Sequence, residues 1–305
     1  MRVLVVFNRC AGSFSQCAAV ADELTGRPGV TMRYPENADQ VRACVAEAVR
    51  DGYDVLAAGG GDGTVHTVVN ALAPHFDAVR LAVLPLGTGN DLCRSLGMPL
   101  EAGAGMATLD AGRERRIDLI EARSAERTWY VVNTASGGFA GKMQESLRSD
   151  VKAAWGPLAY LRGAAGILPD LLQSYKTRIT LDDQPTLTVD ALNVIVANGR
   201  FAAHGWPVAS QASLEDGLAD VVVVKNGDLL DLAEVAAHLV GGDYLDSESV
   251  LYRRARRVRV ASEPPMWFSL DGEPEQNASL TFTVLPGALR VLVGPDYQAV
   301  PEEEE

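Results

Sequence analysis

Val55-Leu56-Ala57-Ala58-Gly59-Gly60-Gly61-Asp62-Gly63-Thr64 is a short apolar run that breaks into glycines and then into a helical pattern. Val65, Val68, Val69 and Leu72 recur at helical spacing behind it. The order is therefore strand, glycine loop, helix. Glycines let the backbone take positive φ and approach a ligand closely, and the unpaired N–H groups at a helix start attract anions. A phosphate suits such a loop.

Two better-known phosphate loops do not match. There is no Gly-Lys-Ser/Thr ending, so this is not a P-loop, and Thr64 stands where the dinucleotide fingerprint needs its last glycine. Asp62 is the distinguishing residue. A carboxylate beside phosphates repels them unless a cation lies between, which points to Mg²⁺. The plain structural alternative is a strand-to-helix turn with Asp62 as its cap.

Before the loop, Val3 to Phe7 reads as a buried strand ending in the turn Asn8-Arg9-Cys10-Ala11-Gly12. A helix to about Leu24 and a strand near Val30 to Tyr34 follow. Asp39 is a candidate cap for a helix whose Val41, Cys44, Val45, Ala48 and Val49 form one stripe. After the loop, Leu81 to Leu84 make another buried strand, closed by Pro85-Leu86-Gly87-Thr88-Gly89-Asn90-Asp91. Strands alternating with helices over short links imply a largely parallel sheet covered on both faces, a Rossmann-like α/β domain. Ligands of such sheets sit beyond the carboxyl ends of the strands, where both glycine turns fall.

From about Glu121 the pattern changes to short strands: Trp129–Asn133, Arg178–Leu181, Ala191–Ala197, Ala219–Val224, Arg257–Val260 and Leu280–Val284. Their Val, Thr and aromatic content and the turns between them suggest a β-sandwich. Leu158, Leu161, Ala165, Leu168 and Leu172 recur at helical spacing within it. The expected division is residues 1–120 with a returning segment 287–305, against 121–286, with the active site in the interdomain cleft.

The segment Gly60-Gly61-Asp62-Gly63-Thr64 resembles the signature of the diacylglycerol kinase and sphingosine kinase superfamily of lipid kinases, distant relatives of NAD kinases. Pro85 through Pro99 resembles the same family's Pro-x-Gly-Thr-x-Asn-Asp-x-x-Arg-x-Leu-Gly-x-Pro along its whole length, and is the most specific match. Ser269-Leu270-Asp271-Gly272-Glu273 matches its late Asp-Gly-Glu. Arg9 departs from the proline usual after Asn8, and Ala203-His204-Gly205-Trp206-Pro207-Val208 departs from a glycine-rich run.

The resemblance implies a kinase using ATP and Mg²⁺. Asn8, Gly12, Gly60, Gly61, Gly63, Thr64, Gly87 and Thr88 would contact the nucleotide, and Asp62, Asp91 and Asp118 would manage Mg²⁺ from the cleft. Glu273 would be the general base, with Asp62 the competing candidate. Asp216, with the carbonyls of Ser213 and Leu218, would hold a structural Mg²⁺, against the alternative of an Asp-Gly turn between strands. In this family a helix in the region of Leu158 to Leu172 covers an apolar acceptor pocket. The acceptor would be a lipid alcohol, diacylglycerol or a sphingoid base or ceramide. The alternatives are a kinase for a soluble acceptor, as in NAD kinases, and a catalytically silent nucleotide-binding protein.

Composition fits this reading. The chain has 305 residues, room for two modest domains, and a net charge of −13, which argues against a nucleic-acid partner and against adhesion to anionic lipid by bulk charge. Arg253, Arg254, Arg256, Arg257 and Arg259 form the one dense basic patch and read as a solvated face, with anionic headgroups as the minority alternative. No apolar run approaches the ~20 residues of a membrane helix, and the chain starts directly into a strand, so the expectation is a cytoplasmic protein whose membrane contact is peripheral. A homodimer is an open option. Cys10, Cys17, Cys44 and Cys93 lack metal-ligand spacing and read as small buried thiols. His66, His75 and His238 read as core or surface histidines without identified partners.

Overall fold

The computed structural model describes residues 1–9, 14–101, 103–138, 173–242 and 244–299. Gly12, Cys10 and the expected apolar helix ending at Leu172 lie outside them.

Four parallel strands form the first unit, β1 (Val3–Phe7), β2 (Val30–Arg33), β3 (Val55–Gly60) and β4 (Arg80–Pro85), in the order β2-β1-β3-β4. Side-chain alternation sends Val3, Val5 and Phe7 to one face and Leu4 and Val6 to the other, and both faces are covered. α1 (Phe14–Thr25) and α5 (Ala104–Ala111) lie on the first face. α2 (Ala38–Arg50) and α3 (Asp62–Leu72) lie on the second, with Val65, Val68, Val69 and Leu72 buried as their spacing requires. The short α4 (Asp91–Ser95) follows β4. Asn37, not Asp39, caps α2: its side chain accepts from the Gln40 N–H at 3.0 Å, while Asp39 sits in the first turn and pairs with Arg42.

The second unit is a β-sandwich-like body of β5 (Arg113–Arg123), β6 (Thr128–Val131), β7 (Thr134–Gly138), β8 (Tyr175–Leu181), β9 (Leu187–Ala197), β10 (Ala219–Lys225), β11 (Val250–Ala255), β12 (Arg257–Leu270) and β13 (Glu273–Val293). Phe268, Phe282, Leu280, Val258 and Trp129 fill its core. β7 and β8 lie end to end between β9 and β12, with Gly138 opposite Asn193 and Tyr175 opposite Ala191. The chain thus leaves one strand line at Gly138 and rejoins it at Tyr175. A helix absent from the sequence reading, α6 (Leu229–Gly241), covers a smaller cluster around Val222, Val224 and Tyr244. Its signal was a capping box, Asp228 with Asp231, ahead of an apolar run.

Two long strands join the units. β5 and β13 pair antiparallel from Arg123 with Thr281 to Arg113 with Val293, and β13 also adds to the parallel sheet through Val291 and Leu81. The strand expected as Leu280–Val284 and the start of the returning segment expected from 287 are therefore one strand of 21 residues, bulged near Pro286-Gly287.

β12 and β13 meet in a two-residue turn in which Asp271 and Gly272 both have positive φ, 48° and 94°, as a type I′ hairpin requires. The Asp271 carboxylate is buried and accepts the backbone N–H groups of Val132 (2.8 Å), Asn133 (2.9 Å) and Thr134 (3.0 Å). Val132 and Asn133 join β6 to β7 and Thr134 opens β7, so one side chain binds the bend between the two strands. Asp271→Ala should strand three buried donors, each bond to a charged acceptor contributing ~1.5–3 kcal/mol. We expect a loss of at least about 3 kcal/mol in urea unfolding; an unchanged midpoint would show that the bend holds without it.

Candidate active site

The ends of β1, β3 and β4 bring Asn8 and the two glycine turns together. Asn8 Nδ2 donates to Thr64 Oγ1 at 3.1 Å, and its backbone N–H donates to the Gly59 carbonyl at 2.8 Å. Gly61 and Gly87 pack backbone to backbone: a Cβ on Gly87 would come within 2.4 Å of the Gly61 Cα. No side chain fits there, which explains a glycine in each turn. Asn90 locks the second turn from the left-handed region (φ 51°), its amide donating to the Gly87 carbonyl and accepting the Gly87 N–H. Thr88 is exposed at the tip.

Asp62 opens α3 with Gly61 as N-cap. Its Oδ1 accepts the Leu92 N–H at 3.3 Å, and its Oδ2 faces Gly89. Burial, and after it the charge of Asp91, pushes its carboxyl above the ordinary range. A carboxylate oxygen left facing the space beside Gly89, as Asp62 Oδ2 is, suits a divalent cation. Asp91 is placed differently from the expectation. Its carboxylate accepts the backbone N–H groups of His204 (3.1 Å) and Gly205 (2.6 Å), both at positive φ. It anchors the tight hairpin between Ala202 and Trp206 instead of offering itself to a metal.

Glu273, from the second unit, reaches the glycine loop of the first: a Cβ on Gly63 would lie 3.6 Å from Glu273 Oε1. It is held there by the Asp271-Gly272 turn. His66 on α3 is buried and its Nδ1 lies 3.4 Å from Asp271 Oδ2, and Asn70 one turn on binds the Tyr130 backbone from both ends of its amide, at 2.8 Å each. The sequence reading quoted Asp271 within its motif and read His66 as a core or surface histidine, but gave neither a part in the site and did not single out Asn70. The signal available was their spacing, since His66 and Asn70 share one face of α3 at i, i+4.

Asp118 is corrected. It is 1 % exposed, and its oxygens accept the N–H groups of Gly217 and Gly287, both at 2.7 Å. It clasps the β13 bulge to the Asp216-Gly217 turn and does not face the cleft as a third acid beside Asp62. The Asp216 carboxylate accepts the Leu218 N–H at 2.9 Å and is ion-paired with Arg254. Ser213 is buried, its hydroxyl turned to the Ala299 carbonyl. A cation at Asp216 would have to displace Arg254, so these residues fit an Asp-Gly turn with a guanidinium partner better than a metal. Asn198, just after β9, is fully buried and donates to the carbonyls of Asp118 and Val132, both at 2.8 Å.

Residues 2–122 match the diacylglycerol kinase catalytic domain, and residues 121–293 match the YegS C-terminal NAD kinase beta sandwich-like domain. A probable lipid kinase YegS-like from Pseudomonas aeruginosa is 35% identical over 291 residues, 95% of this chain and 93% of that protein. A diacylglycerol kinase from Bacillus subtilis is 31% identical over 237 residues, 77% of this chain and 76% of that protein. The crystal structure of a putative diacylglycerol kinase from Bacillus anthracis superposes with a TM-score of 0.80 at 21% identity, covering 96% of this chain and 95% of that one, which shows the shared fold. With the glycine loops, the Asp-Gly-Glu turn and both domain matches in one order along the chain, this protein belongs to the diacylglycerol kinase catalytic domain family and is a kinase.

Proposed function

We propose that this kinase transfers the γ-phosphoryl group of ATP to a hydroxyl of a lipid, such as diacylglycerol or a sphingoid base or ceramide, at the cytoplasmic surface of a membrane. Residues 1–120 and 287–305 serve the nucleotide, and 121–286 the acceptor. The observation that carries this is the approach of Glu273 to Gly63, which sets a carboxylate of one unit over the glycine loop of the other.

Each residue then has a task. Gly60, Gly61 and Gly63 leave the backbone bare for phosphate oxygens, and Thr64, held by Asn8, and Thr88 offer hydroxyls at the strand ends. Asp62 would hold Mg²⁺, which when bound neutralises charge on the phosphates. Asp91 acts on the acceptor side, fixing the hairpin that carries His204 and Trp206, so the phosphate turn and the acceptor hairpin move as one piece. Glu273 accepts the proton of the attacking hydroxyl. An ordinary glutamate is a weak base, yet a loose phosphoryl-transfer transition state needs little early deprotonation, so its position matters more than its basicity.

Asp62→Asn should nearly abolish transfer while the melting temperature holds, because the shape survives and the cation's ligand does not. Normal turnover by that variant would take Asp62 out of the site. Glu273→Gln should lower kcat by roughly 10²–10⁴ with little change in nucleotide affinity; a normal kcat would pass the base role to Asp62. Replacing His204 and Trp206 should reorder the preferred lipids without altering nucleotide binding. The reading as a whole is tested with ATP, Mg²⁺ and a panel of extracted lipids. Efficient phosphorylation of a soluble nucleotide or sugar, with no lipid turned over, overturns it.

A further inference from the structure

The outer face of the second unit's sheet brings Arg178 beside Arg257 and Arg259 of the basic run. Along β8 and β12, Ile179, Leu181, Val258 and Val260 are buried, so the alternating Arg178, Arg257 and Arg259 share the exposed face. Register makes them neighbours. Arg259 lies opposite Thr180 on β8 and Thr281 on β13, Arg257 lies opposite Thr283, and Arg178 lies opposite Ala261. Arg257 and Arg259 are therefore ~7 Å apart along one strand, and Arg178 is ~7–8 Å from Arg259 on the diagonal. Directly opposite them in the ladders stand Ala261, Thr180, Thr188, Thr281 and Thr283.

Four acids border the three arginines, and two of them have partners of their own. Glu263 and Asp190 stand opposite Lys176 on either side, Glu121 pairs with Arg123 at 2.9 Å, and the Asp182 carboxylate accepts the backbone N–H groups of Arg256 and Arg257. Among the described residues Arg178, Arg257 and Arg259 make no ion pair, whereas Arg27, Arg33, Arg115, Arg127, Arg254 and Arg290 each make at least one. Adjacent like charges oppose folding. A chain carrying 40 acidic residues and a net charge of −13 nevertheless keeps three guanidinium groups together here with no acid ion-paired to them.

We infer that this face docks on an anionic phospholipid bilayer. Guanidinium groups bind phosphate oxygens bidentately, and flanking threonine hydroxyls can donate to the same groups. A sheet face presents them on a broad surface, which matches a plane of headgroups better than one buried ligand. The rest of the chain, being acidic, is repelled by that surface, so the three arginines also set which way the protein faces. The choice of a bilayer as the occupant rests on the lipid-acceptor reading. The charge arrangement does not.

The test is co-sedimentation of the full chain with neutral phosphatidylcholine vesicles and with vesicles containing phosphatidylglycerol. Wild type should partition onto the anionic vesicles only and be released by salt. Arg178→Gln, Arg257→Gln and Arg259→Gln should each weaken partitioning about fivefold, and together about a hundredfold. The triple variant should melt as wild type does; if it melts early, Arg259→Gln alone carries the comparison. Activity on a lipid acceptor in uncharged detergent micelles should be the same for both proteins, because none of these arginines belongs to the site. Equal partitioning of wild type and variant, equal binding to neutral vesicles, or binding to an oligonucleotide without binding to vesicles would overturn the inference. Failure of every lipid as acceptor, with arginine-dependent vesicle binding intact, would remove the lipid-kinase reading and leave this one standing.

Discussion

A single buried carboxylate, that of Asp271, holds the catalytic arrangement in place. It gathers the N–H groups of Val132, Asn133 and Thr134 where the chain turns from β6 into β7, and it faces His66 on the helix that carries the glycine loop. Such a charge is tolerable inside a protein because three fixed donors replace its water. Two residues further on stands Glu273. Its position over Gly63 follows from a left-handed turn whose first residue is pinned from three directions and whose second is glycine.

The two neighbouring acids of the site divide their work in the same physical terms. Asp62 keeps an oxygen toward Gly89 and the space between the turns, while Asp91 has spent its carboxylate on a hairpin of the second unit. Asp118 makes the parallel arrangement at the far end, where β13 bulges and its carboxylate takes up the N–H that the bulge frees. Three aspartates that look alike in the sequence thus separate into one that can meet a cation and two that bind backbone. The separation depends on which N–H groups the fold leaves unpaired beside each.

Much of this was legible beforehand because it rests on local rules. The glycine runs after β3 and β4, the apolar stripes of α2 and α3 and the Val-rich strands of the second unit follow from periodicity and from glycine chemistry. The family motifs led to Asn8, Thr64, Asp62 and Glu273, which the structure brings to one end of the sheet. What escaped was set by partners distant in the chain. Asp118 reads as a cleft acid until Gly217 and Gly287 are seen beside it. Asp216 reads as a metal ligand until Arg254 arrives from β11. His66 meets Asn70 one turn on in its own helix, but its other partner, Asp271, lies 205 residues away. β13 hides its length because Pro286-Gly287 looks like a turn and is a bulge.

The continuity of β5 and β13 through both units has a consequence for the site. In many two-domain enzymes a flexible hinge lets the halves open and close. Here two paired strands, 11 and 21 residues long, run from one core into the other. Bending that ribbon would cost ladder hydrogen bonds and the Asp118 clasp, so hinge motion of one whole unit against the other is opposed. Motion that the fold permits is more local. The hairpin of Ala203, His204 and Gly205 combines three successive positive φ angles with an anchor at Asp91, and Trp206 beside it is 45 % exposed. The distance between Gly63 and Glu273 is therefore set by the ribbon and the Asp271 turn, and the wall formed by the hairpin is tied to the second glycine turn through Asp91. In the proposed reaction, selection among acceptors would fall to that hairpin, and catalytic geometry to the ribbon.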